Sequence, residues 1–385
     1  MTVRITKPEF NLREKLSELD RPVGLHGNQI LKSETPQDTF DLVGTGRKNM
    51  VINGDMRVSQ RHGTGEVVPT NNTYTLDQMR WDMSQSSKFK VQQVTDAPAG
   101  FSHSMKVTSL AATSPASTDY FLVQNFIEGK NSARLKWGTS SAQPVTLSFY
   151  VKSSITGVHA CGIRNRAYNR SITETYTINN QNTWEYKTVT FLGDTTGTWE
   201  TGTHAGLKIN FDIGSGSNFE ASPGTWVATA DFITSDSVKV VGTSGATWYI
   251  TGIQLESGKL ATPFEHRHIT DEMTLCERYY QNSFIEDNIP GTSTAMGDAV
   301  ITTSWGDGNA PGPNPFRVAM RVAPAVTLRA RGSTTVGQVN HNGSNVTASA
   351  QQIGSKGIAY IETGAGASAN AFNAFTFELN AEMPT

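Results

Sequence analysis

Residues 145–151 read Val145-Thr146-Leu147-Ser148-Phe149-Tyr150-Val151, with an apolar side chain at every second position. Successive side chains of a β-strand point to opposite faces, so this stretch is typical of a strand with one buried side. Further strand candidates, several with the same alternation, occur at 89–94, 120–127, 184–191, 207–213 and 247–255. Turn-forming residues separate them, and no helical pattern intervenes. The pattern predicts an antiparallel sandwich or jelly roll over residues 48–268.

The composition supports a mainly β protein with a neutral surface. The 385 residues include 47 threonines, 33 serines and 25 asparagines, but only 17% are charged. Threonine favours strands, while serine, asparagine and the 35 glycines favour turns. The formal charge of −2 gives no electrostatic basis for binding nucleic acid or a membrane surface. We therefore expect neither a nucleic-acid partner nor membrane insertion.

The distribution of charge predicts where the domains begin. Residues 1–47 hold 14 of the 66 charged residues, so they are about twice as charged as the rest. A short helix is expected at 271–281, with Thr270 as its cap. A second β-region follows, with strand candidates at 299–305, 316–320, 326–331, 357–363 and 374–380. The predicted domains are residues 1–47, 48–268 and 269–385.

Two short helices are expected in the charged N-terminal segment. The first carries a narrow apolar stripe of Leu12, Leu16 and Leu19, and the second contributes Phe40. Neither is long enough to be stable alone, so the apolar side chains must be buried against something. Packing on the adjacent β-domain and self-association or docking to another protein are equally compatible with the pattern.

Other features exclude several classes of protein. The two cysteines, Cys161 and Cys276, are too few for a disulfide framework or a cysteine zinc cluster, and two free thiols are favoured over a single bridge between them. No apolar run approaches the ~20 residues of a membrane span. The first residues lack the apolar core of a signal peptide, so no cleavable leader is expected.

The sequence offers little for catalysis or metal binding. The motifs G-x-x-x-x-G-K-[ST], G-x-S-x-G and H-E-x-x-H are absent. His266 and His268, or Asp307 and Asn309, provide pairs of ligands where metal sites need more. We therefore expect no metal, no cofactor and no catalytic residue. Polysaccharide hydrolysis remains a less favoured alternative, with these candidate carboxylates: Glu185, Asp194, Glu200 and Asp212.

Four tryptophans are candidates for contact with a glycan. Each lies beside glycine, serine or threonine, hence near a strand end or in a loop: Trp137, Trp199, Trp226 and Trp305. An indole flanked by short hydroxyl or amide side chains suits a sugar ring, which needs apolar stacking and neutral hydrogen bonds. The alternative for each is that the ring closes the core of the sandwich.

A series of motifs resembles the jelly-roll module found in bacteriophage tail fibres and related virion proteins. The opening of the module resembles this stretch of the chain, which is followed by Tyr74–Trp81: Asn49-Met50-Val51-Ile52-Asn53-Gly54-Asp55-Met56-Arg57-Val58-Ser59-Gln60-Arg61. The closing strand of the module resembles Trp248-Tyr249-Ile250-Thr251-Gly252-Ile253-Gln254-Leu255-Glu256-Ser257-Gly258. The remaining matches follow in order along the chain: Leu25–Leu31 as a virion-attachment segment, Ala261–Arg267 and Leu275–Tyr280 as an exit and connecting helix, and Met320–Thr327 as a C-terminal strand.

The resemblance implies a homotrimeric virion protein that attaches to the particle and to other virion proteins through residues 1–47. The module is similar to carbohydrate-binding domains, which implies recognition of host surface polysaccharide without catalysis, by a trimer that gains avidity. The alternatives are a purely structural head fibre, decoration or adaptor protein and, less favoured, a polysaccharide depolymerase. The resemblance transfers no sugar-contacting residue to this chain.

Overall fold

The computed structural model describes residues 47–284, 289–291, 300–305, 309–364 and 370–384, together with Gly27, Ile30–Lys32 and Thr39. The chain divides into two compact units, residues 1–48 and 49–385. In the first unit, the described residues Gly27, Ile30, Leu31 and Thr39 are helical. The predicted stripe of Leu12, Leu16 and Leu19, and Phe40, lie outside the described residues. The domain boundaries predicted at residues 47 and 268 stay predictions.

The described part of residues 49–385 is mainly β, as the sequence predicted. Its strands are β1 Thr73–Tyr74, β2 Met79–Met83, β3 Phe89–Val94, β4 Ser104–Ser109, β5 Phe121–Glu128, β6 Val145–Ser153, β7 Gly157–Arg164, β8 Ser171–Ile178, β9 Glu185–Phe191, β10 Ala205–Asp212, β11 Trp226–Val227, β12 Thr247–Ser257, β13 Tyr280–Asn282, β14 Val300–Thr303, β15 Ala310–Pro311, β16 Ala325–Ala330, β17 Gln338–His341, β18 Ser344–Ile353, β19 Ile358–Thr363 and β20 Phe372–Asn380. Its helices are α1 Gly129–Ser132 and α2 Ile269–Glu277, with short 3₁₀ turns at Ala133–Leu135, Ser217–Phe219 and Val240–Gly242.

These strands form three antiparallel sheets. The first has the order β1-β2-β5-β10-β7-β8-β11, and the second has the order β3-β4-β12-β6-β9. Together they make the predicted sandwich. In the third sheet β20 pairs with four strands, β13, β14, β16 and β17, and β18, β19 and β15 continue from β17.

The core of the sandwich lies between its two sheets and is rich in aromatic rings. Phe149 of β6 contacts Phe211 of β10 at 5.0 Å between ring centroids, and Phe211 contacts Trp248 of β12 at 5.9 Å. Trp81 of β2 and Phe89 of β3 approach to 4.7 Å. Each pair joins one sheet to the other, so the alternating side chains predicted to be buried do form a common core.

The Asn49–Arg61 motif forms a buried turn against the closing strand. The Asn53 amide donates to the carbonyls of Val58 (2.8 Å) and Asp77 (2.9 Å), which holds the backbone of Asn53 at φ 56°. A Cβ at Gly54 would lie 2.1 Å from the carbonyl oxygen of Ile253, so this position needs glycine for close approach. The motif is therefore explained by packing.

The region after the sandwich differs in several places from the prediction, and strands β15, β17 and β18 lie where no strand was predicted. The helix begins at Ile269, with His268 as its cap, and ends at Glu277, because residues 280–282 pair with β20 as a strand. Residues 316–320 are not a strand. Phe316 and Met320 are instead buried in the core of the third sheet, and each donates one backbone hydrogen bond, to Lys356 and Ser355 respectively.

Helix α2 and the two residues that follow it, Arg278 and Tyr279, cover one end of the seven-stranded sheet. Cys276 and Tyr279 pack on Phe126 of β5. Glu128, also on β5, accepts hydrogen bonds from Arg278 (2.8 and 2.9 Å) and from the Tyr279 hydroxyl (3.0 Å). The outer face of this sheet is thus covered at one end. Both cysteines are buried free thiols, as expected.

Candidate functional site

The outer face of the seven-stranded sheet carries charged and amide side chains. Along β2, β5, β7 and β10 the apolar residues point into the sandwich core, so the intervening residues point outward. The register places Arg80 opposite Gln124, Gln124 opposite Asn210, and Lys208 opposite Arg164. All are at least nine-tenths buried. We call this set the polar face: Arg80, Asp82, Gln124, Arg164, Lys208 and Asn210.

A pocket of about 260 Å³ opens above one part of the polar face, away from α2. Leu122, Asp82 and Arg164 come from the sheet, and the walls are mainly aromatic. The Phe219 ring stacks on Phe232 at 4.7 Å and meets Tyr120 edge-on at 5.8 Å. We call this cavity the tyrosine pocket, lined by Asn71, Asn72, Asp82, Tyr120, Leu122, Arg164, Tyr168, Phe219 and Phe232.

Tyr168 is held over the polar face by the turn between β7 and β8. Asn165 stabilises the turn, because its side-chain oxygen accepts from the backbone of Asn169 (3.1 Å) and Arg170 (3.2 Å). Tyr168 itself has φ 57°, a left-handed conformation that is costly for a bulky residue. Such conformations are concentrated at ligand-binding and catalytic sites. The Lys208 Nζ lies 3.7 Å from the centroid of the Tyr168 ring.

Hydrogen bonds order part of the polar face. The Arg164 Nε donates to Asn210 Oδ1 at 3.0 Å, and Arg80 Nη2 lies 3.2 Å from Asp82 Oδ1 and donates to Asn72. With its amide nitrogen turned toward Asp82, Gln124 donates to Asp82 Oδ2 at 2.7 Å. The floor of the pocket is therefore a preorganised network.

Some buried polar atoms at the polar face are left without a hydrogen-bond partner among the described residues. They are the donors Arg80 Nη1, Lys208 Nζ and Asn210 Nδ2 and the acceptor Asp82 Oδ1. Burial, together with the nearby Arg164 guanidinium, lowers the pKa of Lys208 to about 7. Burial lowers the pKa of Arg164 as well and raises that of Tyr168. Because unpaired buried polar groups destabilise a fold, each such group calls for an explanation, and a ligand is one.

Three of the four predicted tryptophans come together at one end of the sandwich. The rings of Trp137, Trp199 and Trp226 are mutually perpendicular, with centroids 4.7–5.6 Å apart. The Arg170–Asp194 ion pair lies beside them, at 2.6 Å. The indole nitrogens donate within the protein, to Gln143 O (2.6 Å), Asp194 Oδ2 (3.2 Å) and Leu192 O (2.9 Å) respectively.

The cavity beside Trp137 and Trp199 has a volume of only about 20 Å³, too small for a sugar ring. The fourth tryptophan, Trp305, is 47% exposed and belongs to the C-terminal region, where its nearest ring partner is Tyr360 at 6.2 Å. Glycan contact by these four residues stays a prediction. The geometry gives the tyrosine pocket priority over them.

A second group of aromatic side chains lies on the outer face of the five-stranded sheet. Neighbouring rings are 4.9–5.3 Å apart in this group, which consists of Phe101, Tyr150, Tyr186, Phe264 and His266. A pocket of about 390 Å³ at its end also exposes Asp55, Arg57 and Arg267. Arg57 pairs with Asp55, and Arg267 pairs with Glu265 (3.1 Å), so charge is balanced there.

The other candidate groups are dispersed or have partners of their own. His268 caps α2, while His266 packs against Phe101. Across the described ranges, no group of three or more His, Cys, Asp or Glu side chains is placed to hold a metal ion. Asp212 accepts hydrogen bonds from Gly214 and Ser215, and Glu185 from Asn179 and Asn180. Within the same ranges, no helix has both the length and the apolarity to cross a membrane.

The sequence contains one signal for the tyrosine pocket, and it lies in polar residues and not in the tryptophans. In the alternating stretch 207–213, the positions between the apolar residues are Lys208, Asn210 and Asp212. Taken alone they are typical of a solvated strand face. Only the pairing of β10 with β5 and β7 shows that these side chains are buried beside further charged and amide groups.

Comparisons with known proteins find similarity among solved structures. A scan against protein-family models finds no match, and neither does a search of curated proteins. Among solved structures, the chain is similar to the enzymatically active domain of bacteriophage CBA120 tailspike protein 4, with 13% identity over 55% of this chain and a TM-score of 0.30. The chain spans only 21% of the length of that structure.

Carbohydrate-binding modules are also among the similar structures. One is a family 4 module, with 12% identity, 54% of this chain and 99% of that chain covered, and a TM-score of 0.29. Another is a family 11 module from Clostridium thermocellum in complex with a β-1,3-1,4-mixed-linked tetrasaccharide, with 12% identity, 52% and 99% covered, and a TM-score of 0.28. Similarity at this level transfers neither a ligand nor a binding residue to this chain.

Proposed function

We propose that this chain is a glycan-binding protein and that the tyrosine pocket is its binding site. The observation that supports this most is the combination of aromatic walls with a buried hydrogen-bonding floor. Tyr120, Tyr168 and Phe219 are half-buried and present ring surface, while Asp82 and Arg164 present polar atoms. Sugar rings have apolar faces edged by hydroxyl groups, so they are bound by this combination.

The size of the pocket supports recognition of a short part of a glycan. Its volume of about 260 Å³ is near the lower limit of the range for ligand pockets, ~300–1,000 Å³. A single pocket of this size suits one or two sugar residues. Each site would bind weakly, and display of several copies would raise the avidity.

We further propose that the glycan is host surface polysaccharide and that the chain is a fibre protein of a phage particle, attached through residues 1–47. This part of the proposal is supported by the series of motifs from Leu25 to Thr327 that resembles phage fibre proteins. Binding without hydrolysis is proposed with it. A purely structural fibre protein and a depolymerase are the outcomes that would contradict the proposal.

A glycan array probed with the purified full-length protein tests the glycan-binding function. The matched variant is Tyr168→Gly, which removes the ring and leaves a residue that tolerates positive φ. We expect it to weaken binding about tenfold or more, since a lost stacking contact is worth ~1.5 kcal/mol. Tyr186→Gly, at an exposed ring on the other sheet, is the control and should bind as the unaltered protein does.

Three outcomes would count against the proposal. No binding to any host-derived glycan would favour a structural fibre protein. Equal loss of binding in the two tyrosine variants would place the site elsewhere or indicate a general loss of folding. New reducing ends, after incubation with host polysaccharide, would show hydrolysis.

A further inference from the structure

We infer that the tyrosine pocket is specific for an acidic sugar residue, one that carries a carboxylate. This inference rests on the proposed glycan-binding function and names the class of glycan. It is carried by the excess of buried positive charge at the polar face, which a neutral sugar would leave uncompensated.

The polar face contains three cationic side chains and one carboxylate. Arg80, Arg164 and Lys208 are 2%, 3% and 0% exposed, while Asp82 is the only acidic member of the set as defined. The next outward carboxylate on β10, Asp212, is engaged by Gly214 and Ser215. On β5, Glu128 is engaged by Arg278 and Tyr279. Neither carboxylate therefore balances the cations beneath the pocket.

Two of the three cations also retain donors that no described residue accepts. Arg80 Nη1 and Lys208 Nζ have no hydrogen-bond partner in the part of the chain that the structure describes. The charged end of Lys208 faces two aromatic rings, with Nζ 3.7 Å from the centroid of Tyr168 and 5.0 Å from that of Phe126. A buried unpaired ammonium group destabilises the free protein. An anion bound nearby would offset that cost.

Arg164 connects this charge to the cavity. Its guanidinium lines the tyrosine pocket and lies 5.0 Å from the Tyr168 ring and 4.9 Å from the Phe232 ring. An arginine held between aromatic rings is preorganised to bind a carboxylate, because its planar fork matches the two oxygens. The aromatic walls of the same cavity would contact the sugar ring that bears the carboxylate.

The excess of buried positive charge is local to the polar face beneath the tyrosine pocket. The whole chain has a formal charge of −2, so a general positive charge does not explain it. In the pocket at the end of the five-stranded sheet, Arg57 and Arg267 are each paired with carboxylates. An excess of cations over carboxylates therefore distinguishes the tyrosine pocket from the other large pocket near the sandwich sheets.

The experiment compares acidic oligosaccharides with their own neutral forms on the full-length protein. The probes are oligogalacturonate, oligoglucuronate and sialyl-lactose, each measured by calorimetry beside its carboxyl-reduced counterpart. We expect at least one acidic probe to bind ten times or more tighter than its reduced form. Acetate and phosphate are added as competitors and should act only at concentrations about a hundred times higher, since they lack the sugar ring.

A pair of variants assigns the effect to the polar face. Lys208→Met removes the charge at nearly constant volume, and we expect it to weaken binding of the acidic probe about tenfold more than binding of the reduced probe. Lys90→Met is the matched control, because Lys90 is a half-buried lysine on β3 of the other sheet, paired with Glu66. It should leave both affinities unaltered.

Failure of the inference about acidic sugars can be distinguished from failure of the proposed glycan-binding function. Equal affinity for an acidic probe and its reduced form would overturn the inference and leave the proposed glycan-binding function standing. Competition by acetate at the same concentration as the acidic sugar would also overturn it, since the site would then be one for a small anion. Binding that is lost in both lysine variants would contradict the assignment to the polar face.

Discussion

The amino group of Lys208 lies in the interior of the protein, where no described residue accepts a hydrogen bond from it. The side chain is nonetheless well packed, between Tyr168 and Phe126. Stability alone would favour an apolar residue of the same shape at this position. A residue that lowers stability is expected at a binding site, where the ligand compensates for it.

The first prediction follows from this conflict between stability and binding. Lys208→Met is expected to raise the free energy of unfolding of the ligand-free protein by ~1–4 kcal/mol, because it removes an unpaired buried charge and keeps the volume. Chemical denaturation measures the difference, with Lys90→Met as the control, which should change stability by less than ~0.5 kcal/mol. A Lys208→Met protein less stable than the unaltered one would show that the ammonium group has a stabilising partner.

The titration of Lys208 gives the second prediction. Its pKa is lowered from 10.5 to about 7, so between these values the unfolded chain binds more protons than the folded one. This group therefore makes stability rise with pH across that window. Binding of an acidic sugar has the opposite dependence, since the anion prefers the protonated lysine.

Affinity for an acidic oligosaccharide should thus be several times higher at pH 6 than at pH 8.5. The charged groups that act on Lys208 are Arg80, Arg164 and Arg166, which oppose its protonation, and Asp82, which favours it. The pH dependence should disappear in Lys208→Met, and a dependence that persists there would assign it to another group.

At the scale of elements, the turn at residues 52–56 connects the beginning of the sandwich to its closing strand β12. Gly54 is packed against the backbone of Ile253, where a Cβ would overlap the carbonyl oxygen. We predict that Gly54→Ala destabilises the protein by ~3 kcal/mol or more, because backbone must shift on both sides of the contact. Gly354→Ala, whose nearest atom would be 3.7 Å away, is the control in a thermal melt. Equal melting temperatures for the two variants would contradict this packing.

The strands were largely predictable, because one face of each strand is buried in a core that requires alternation. Residues 145–151 and 89–94 are strands in the structure, as predicted. Residues 316–320 alternate in the same way but form no ladder, since their apolar side chains fill the core of the third sheet from a loop. The alternation of apolar and polar residues indicates which side chains are buried, but it does not indicate whether a neighbouring strand is present to pair with.

The binding pocket was not predictable in the same way. Arg80, Gln124, Lys208 and Arg164 come from four strands that are far apart in the sequence, and their neighbours are set by the sheet order. The tryptophans were conspicuous because of their size, and three of them do meet. Their indole nitrogens have partners within the protein, whereas unpaired groups lie at the polar face.

At the scale of the whole molecule, we propose a division between attachment and recognition. Residues 1–48 and 49–385 are separate compact units, and the tyrosine pocket lies in the second. In the proposed fibre protein, the charged N-terminal segment binds the particle and the β-sheets carry the glycan site. Trimerisation would then multiply weak sites.

Deletion of residues 1–47 tests this division. We expect the shortened protein to keep the melting temperature and the glycan affinity per chain, and to lose attachment to the virion. Light scattering should give three times the chain mass of 41.7 kDa for the full-length protein. A full-length monomer would contradict the proposed trimer, and unfolding of the remaining residues would contradict the proposed independence of the two parts.

A structure of the full-length protein with its tightest-binding array glycan shows whether a glycan binds in the tyrosine pocket. We predict a sugar ring against Tyr168 and Phe219, with a polar group of the sugar within hydrogen-bonding distance of Arg164. A sugar bound instead at Trp137, Trp199 and Trp226, or along Tyr150 and Tyr186, would contradict it.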